Sequence, residues 1–146
     1  MRSTRISAAA IVATVLLAGV ASADNHNRGH RLETHLTGAA ERPVPGDADG
    51  SGTATVNPQP SHNQVCYTLE VINIDTAAAA HIHIGGPDVA GPVVVRLTAP
   101  STGQSAGCVA VTEELARAIK ENPENYYVNV HNAAFPGGAV RGQLED

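Results

Sequence analysis

The segment Val65–Ile74 shows the hydrophobic pattern of the chain most clearly. Its apolar residues fall on alternate positions, at Val65, Tyr67, Leu69 and Val71. This period of two is typical of a β-strand that buries one face. Shorter strand-like runs lie at residues 31–37, 53–56, 81–84, 93–97, 107–111, 126–132 and 139–144. Turns rich in glycine, proline and asparagine separate them, so the pattern predicts an all-β fold, a Greek-key-like antiparallel β-sandwich of seven or eight strands.

One segment departs from the strand period and predicts a short helix near residues 113–121. Thr112 precedes it as a good N-cap residue, and Glu113 and Glu114 lie in the first turn, where the helix dipole favours acidic side chains. The apolar residues then recur at helical spacing, at Leu115, Ala118 and Ile119. Pro123 ends the pattern, because proline cannot continue a helix.

The first residues follow the order of a secretory signal peptide. Arg2 and Arg5 precede an apolar run at residues 6–20, and an Ala-Ser-Ala sequence follows at residues 21–23. An uncleaved membrane anchor is the alternative, although the run is short for a span of ~20 residues. We predict a secreted or periplasmic protein without a membrane anchor after cleavage. Its segments are a signal peptide at 1–23, a flexible tail at 24–30 and one β-sandwich domain at 31–146.

The charge balance narrows the classes of partner. The chain has 9 basic and 14 acidic residues, and loss of Arg2 and Arg5 with the signal peptide makes the balance more acidic. Tryptophan is absent, and three tyrosines and one phenylalanine are the only aromatic residues. Nucleic-acid binding needs phosphate-neutralising cations and stacking rings, so we predict no nucleic-acid partner. A metal cation suits an acidic surface better, although the charge could equally serve only solubility.

The chain has two cysteines, Cys66 and Cys108, and both lie in strand-like runs. Export would place them in an oxidising compartment, where cysteines of small domains pair. We therefore predict a disulfide bond between them. The alternative is that they are thiolate ligands of a metal.

Two histidines stand two residues apart in the run at 80–86. In a strand, His81 and His83 would share one face while Ile82 and Ile84 point to the other. A third histidine, His131, lies in a similar strand-like run, at residues 127–131. Three imidazoles can bind copper or zinc, so the pattern predicts a metal site, with copper preferred and zinc as the alternative.

Neighbouring residues are candidates to support this site. The second ring nitrogens of metal-bound histidines need hydrogen-bond acceptors, and we expect these from Asn129, Asn132 and the carbonyls of the Gly85–Gly86 turn. Arg141 would pair with Glu41 and tie an early loop to the last strand. The competing interpretation is that the histidines lie on a solvent face or support the fold and bind nothing.

A separate metal chelate is predicted at the amino terminus. If cleavage follows residue 23, Asp24, Asn25 and His26 are the first three residues. The free amine, two deprotonated amides and a third-position imidazole can surround a square-planar ion such as Cu(II) or Ni(II). The alternative is a solvated polar tail that contains a histidine.

Several of these segments together resemble the CHRD domain, a family named for chordin that also occurs as small exported bacterial proteins. The resemblance covers nearly all of residues 31–145, and its motifs lie at 36–38, 41–45, 80–85, 91–97, 127–131 and 138–144. It implies a β-sandwich module but no settled biochemical activity. A threonine often follows the family histidine that matches His131, whereas this chain has Asn132.

A more distant similarity is to copper–zinc superoxide dismutases. By pattern, the three copper-binding histidines of those enzymes would match His81, His83 and His131 of this chain. The bridging histidine, zinc ligands and copper-side arginine have no clear counterpart here, so this similarity supports a metal site more than dismutation.

Three hypotheses follow. They are an exported copper-binding protein for sequestration or delivery, a copper redox enzyme, and an adhesion module that binds another exported protein. The sequence favours a non-enzymatic role.

Overall fold

Eight antiparallel strands and one α-helix make up the part of the chain that the structure describes, residues 30–146 of a computed structural model. The elements are β1 (Leu32–Thr37), β2 (Ser51–Gln59), β3 (Gln64–Ile72), β4 (Ala77–Ile84), β5 (Val93–Leu97), β6 (Gln104–Ala110), α1 (Glu113–Glu121), β7 (Tyr126–Asn132) and β8 (Val140–Gln143). The predicted signal peptide, most of the predicted tail and the Asp24–His26 chelate lie outside the described residues. Within residues 30–146 no helix has the length and apolar character that crossing a membrane requires.

The strands form one sheet in the order β5-β4-β7-β8-β1-β2-β3-β6. Its two halves meet where β1 pairs with β8 through Thr37 and Arg141. The two edge strands, β5 and β6, lie close to each other. Near them, the Ser105 hydroxyl donates a hydrogen bond to the Thr98 carbonyl at 2.8 Å. The prediction of an antiparallel all-β fold is confirmed, and its two layers are halves of one nearly closed sheet.

The core lies between these halves and follows the predicted alternation. In β3, Val65, Tyr67, Leu69 and Val71 are all buried. They face buried residues from the other half, among them Ile82, Val128, Val130 and Val140. Because side chains alternate along a strand, the opposite face of β4, β7 and β8 is left for other chemistry.

Strand β4 begins earlier than the sequence predicted. The strand-like run was placed at residues 81–84, but Ala77 and Ala80 are buried and belong to the strand as well. An irregularity in the pairing with β7 lies between Ala77 and Ala79. Alanine has weak strand propensity, so tertiary pairing with β7 decides the start of β4.

The predicted helix and the predicted disulfide are both confirmed. The Thr112 hydroxyl accepts a hydrogen bond from the Leu115 N–H at 3.2 Å, as an N-cap residue does, and Ile119 is buried. Cys66 and Cys108 face each other in the register of β3 and β6, and their sulfur atoms are bonded. The cysteines are therefore unavailable as metal ligands in this state.

Candidate metal centre

Pairing of β4 with β7 brings the three histidines together on the face turned away from the core. His81 lies opposite Asn129 and His83 opposite Tyr127, while His131 is one pair further along, opposite Ala79. One ligand nitrogen from each histidine lies within 4.8 Å of those of the other two. His81 Nδ1 and His131 Nε2 are 3.2 Å apart.

Main-chain carbonyls fix the tautomers of two of the rings. His83 Nδ1 lies 2.8 Å from the Gly91 carbonyl, and His131 Nδ1 lies 3.0 Å from the Pro136 carbonyl. A carbonyl only accepts, so each Nδ1 carries its proton and each neutral ring keeps a lone pair on Nε2. This is the arrangement in which metal-binding histidines are held by a second hydrogen bond.

One nitrogen of the cluster lacks a protein partner. His83 Nε2 is buried and makes no hydrogen bond within the described residues. A buried polar atom left unpaired costs about 1–3 kcal/mol. Nitrogens that share an ion at ~2.0 Å lie ~3.3 Å apart in tetrahedral geometry, so a closure of roughly 1–2 Å would bring the three onto one ion. The donor set therefore fits a metal ion.

The electrostatics of the cluster keep its imidazoles neutral. Burial, followed by the neighbouring rings of His131 and His83 and the charge of Arg96, lowers the pKa of His81 to about 4. Burial is also the main cause that lowers the pKa of His83 and the pKa of His131. Protons thus do not occupy the ligand lone pairs at neutral pH, as metal binding requires.

An aromatic ring and a buried cation form one wall of the cluster. The rings of His83 and Tyr127 are stacked, with centroids 4.8 Å apart and planes 10° from parallel. The guanidinium carbon of Arg141 lies 3.4 Å from the centroid of the Tyr127 ring. Tyr127 also accepts from the Gly91 N–H at 3.0 Å, so the residue whose carbonyl orients His83 is itself held by Tyr127.

Arg141 is placed differently from the sequence expectation. The ion pairs of residues 30–146 do not join it to Glu41. Arg141 instead donates to the carbonyls of Val89 at 2.9 Å and Gly86 at 2.8 Å. It therefore anchors the loop at 85–92, which also supplies Gly91.

Glu41 is buried, with 2% of its surface exposed, and its Oε1 has no hydrogen-bond partner among the described residues. Burial raises the pKa of Glu41 to about 7, against the opposing effects of Arg141, the Arg42 main chain and Asn129. The carboxyl group is thus close to half ionised at neutral pH.

The expected supporting residues divide into two groups. The side-chain amide of Asn129 lies 3.0 Å from His131 Nε2, the nitrogen that keeps the lone pair, so it contacts the cluster at a candidate ligand atom and does not accept from the second ring nitrogen. Among the described residues, no hydrogen bond joins the Asn132 side chain to an imidazole. Its side chain accepts from the Phe135 N–H at 2.8 Å and shapes the turn that presents the Pro136 carbonyl. The Gly85 carbonyl accepts from Gln143 instead of from a histidine.

Sequence reasoning missed Tyr127, Gly91 and Pro136. Tyr127 lies two and four residues before Asn129 and His131, so strand alternation alone would have placed it on the same face. The two carbonyls have no sequence signal, because any residue can offer a carbonyl. His30 contacts Asp146 and His62 contacts Ser61, both outside the cluster.

The fold and the cluster together define a small antiparallel β-domain with a three-histidine candidate metal centre. The family model of the CHRD domain matches residues 32–144, and the chain belongs to the CHRD domain family. No curated protein and no solved structure gave a match. The family prediction is confirmed, while the similarity to superoxide dismutases stays a prediction.

Proposed function

We propose that this chain is an exported protein that binds copper through His81, His83 and His131 and acts in sequestration or delivery. The observation that carries the proposal is the buried, unpaired Nε2 of His83 beside two further imidazole nitrogens. Histidines that only supported the fold would be expected to satisfy their buried nitrogens. A shared ion would satisfy this atom.

Copper is supported by the chemistry of the donors. The three ligands are imidazoles, and the group contains neither a carboxylate nor a thiolate. Oxygen donors suit calcium and magnesium, whereas imidazole suits copper, zinc, nickel and iron. Among divalent ions, copper exceeds zinc in intrinsic affinity for nitrogen sites, which leaves zinc as the competitor to test.

The proposed role in sequestration or delivery rests on partial access to the cluster. His81 and His131 are intermediate in burial, while His83 is buried. An ion held there would be fixed by a rigid sheet on one side and would remain reachable from the other. This arrangement suits transfer of an ion to or from a partner.

The test is the copper content of the purified protein after expression of the full chain. We expect one copper per chain at this site, lost in His81→Ala and in His83→Ala because each removes a ligand. His35→Ala and His62→Ala are matched controls, since both histidines are exposed and lie outside the cluster. His26→Ala separates the predicted amino-terminal chelate. Copper content unchanged in both cluster variants would refute the proposal.

Export has its own measurement. Mass spectrometry of the protein recovered from the periplasm or medium should show an amino terminus at Asp24. Protein retained in the cytoplasm with residues 1–23 intact would contradict the export part of the proposal and leave metal binding unaffected.

A further inference from the structure

Two guanidinium groups flank the histidine cluster. Arg141 is 1% exposed and lies against Tyr127, the ring stacked on His83. Arg96 lies directly opposite His81 in the pairing of β4 with β5, so both side chains leave the sheet on the same face. Arg96 is exposed, whereas Arg141 is shielded from water. The cluster thus has a cation behind Tyr127 and another beside His81.

Little negative charge offsets these cations. The ligand group consists of three histidines, so its donors are neutral. Glu41 forms no ion pair with Arg141 within the described residues, and burial raises the pKa of Glu41 to about 7, which leaves it partly protonated. The carboxylate of Asp88 is exposed and paired with Arg42. The positive charge of an ion bound in the cluster would therefore be largely uncompensated, and the two guanidinium charges would lie near it.

We infer that Arg96 and Arg141 shift the preference of this cluster toward monovalent copper, Cu(I), relative to divalent copper, Cu(II). The inference rests on the proposed copper site and adds the charge of its ion. Repulsion between a fixed cation and a bound ion scales with the charge of that ion, so each guanidinium opposes a divalent ion twice as strongly as a monovalent one. Neutral imidazoles add no negative charge that would offset this difference, as carboxylate ligands would.

The size of the effect differs between the two arginines. A unit charge ~10 Å away at an effective dielectric constant of ~20 changes the preference between ions that differ by one charge about tenfold. We assign this order to Arg141, because it is buried. For Arg96 we expect about a two- to threefold effect, because solvent and salt screen an exposed charge.

The experiment measures two dissociation constants on the full chain, one for Cu(I) under anaerobic reducing conditions and one for Cu(II) in air. Each is obtained by competition with a chromophoric chelator of known affinity. The quantity compared is the ratio of the Cu(II) constant to the Cu(I) constant. Arg141→Gln should lower this ratio about tenfold, and Arg96→Gln about two- to threefold. Arg141→Lys and Arg96→Lys keep the charge and serve as matched controls with ratios near that of the wild type.

Arg96→Glu keeps the test decisive if Arg141→Gln fails to fold. Arg96 is exposed, so this variant should fold, and reversing its charge should lower the ratio further than Arg96→Gln does. Ratios that stay within twofold of the wild type in Arg96→Glu and in every folded Arg141→Gln sample would overturn the inference. Absence of copper binding in both oxidation states would instead refute the proposed function, so the two failures are distinguishable.

Discussion

Replacement of His83 by phenylalanine tests whether the cluster is a binding site or a part of the scaffold. The change removes a buried Nε2 without a partner, which should stabilise the metal-free protein by about 1–3 kcal/mol. It also removes the Nδ1 hydrogen bond to the Gly91 carbonyl, which should cost about 0.5–1.5 kcal/mol. The aromatic stack on Tyr127 is kept in kind. We therefore expect the free energy of unfolding without metal to stay within ~1 kcal/mol of the wild type or to rise by up to ~2 kcal/mol.

The same variant should lose the stabilisation that copper gives. An ion that binds only the folded protein, at 100 times its Kd, adds about 2.7 kcal/mol to the free energy of unfolding. For a domain of this size that corresponds to a rise in Tm of roughly 10 °C. Wild type should show this rise, and His83→Phe should show little of it.

The assay is urea unfolding and thermal melting with copper and, separately, with a chelator. His35→Phe is the control, because His35 is exposed and lies outside the cluster. Loss of more than ~3 kcal/mol in the metal-free His83→Phe protein, together with a copper-induced rise equal to that of the wild type, would refute the reasoning. His83 would then be a structural residue.

Three further predictions concern stability. The double variant Cys66→Ala/Cys108→Ala should lose about 2–4 kcal/mol in reversible urea unfolding, because the bond closes a loop of 42 residues, and an unchanged midpoint would contradict this. Glu41 has a folded-state pKa of about 7, above its unfolded value, so its contribution is full below pH ~4.5 and is lost as pH rises through 7. Between pH 4 and pH 8 the stability of Glu41→Gln relative to wild type should therefore rise by roughly 3 kcal/mol, and a flat difference would show that the carboxyl is not perturbed. Gly138→Ala should cost about 2 kcal/mol or more in thermal unfolding, because its φ is +139° and the new Cβ would contact the Glu41 carboxylate; a Tm equal to that of the wild type would show that the turn adapts.

The sequence by itself determined the local features. Alternation in Val65–Ile74 predicted a strand with one buried face, and the N-cap and spacing after Thr112 predicted the helix. The spacing of His81 and His83 required them to share a face once the segment was a strand. Two cysteines in strand-like runs predicted the disulfide. These features depend on a period or on a pair of residue types, which the chain carries in its order.

Only the tertiary structure decided which side chains and carbonyls come into contact. The register of β4 and β7 sets His131 diagonally beside His81, and a shift of one residue would have turned it to the opposite face. The loop carbonyls of Gly91 and Pro136 are the acceptors that orient two histidine rings, and no residue type in the sequence predicts such a role. Within residues 30–146, Arg141 contacts main-chain carbonyls and the Tyr127 ring and forms no ion pair with Glu41. A long side chain binds the partners that the folded loops bring within reach.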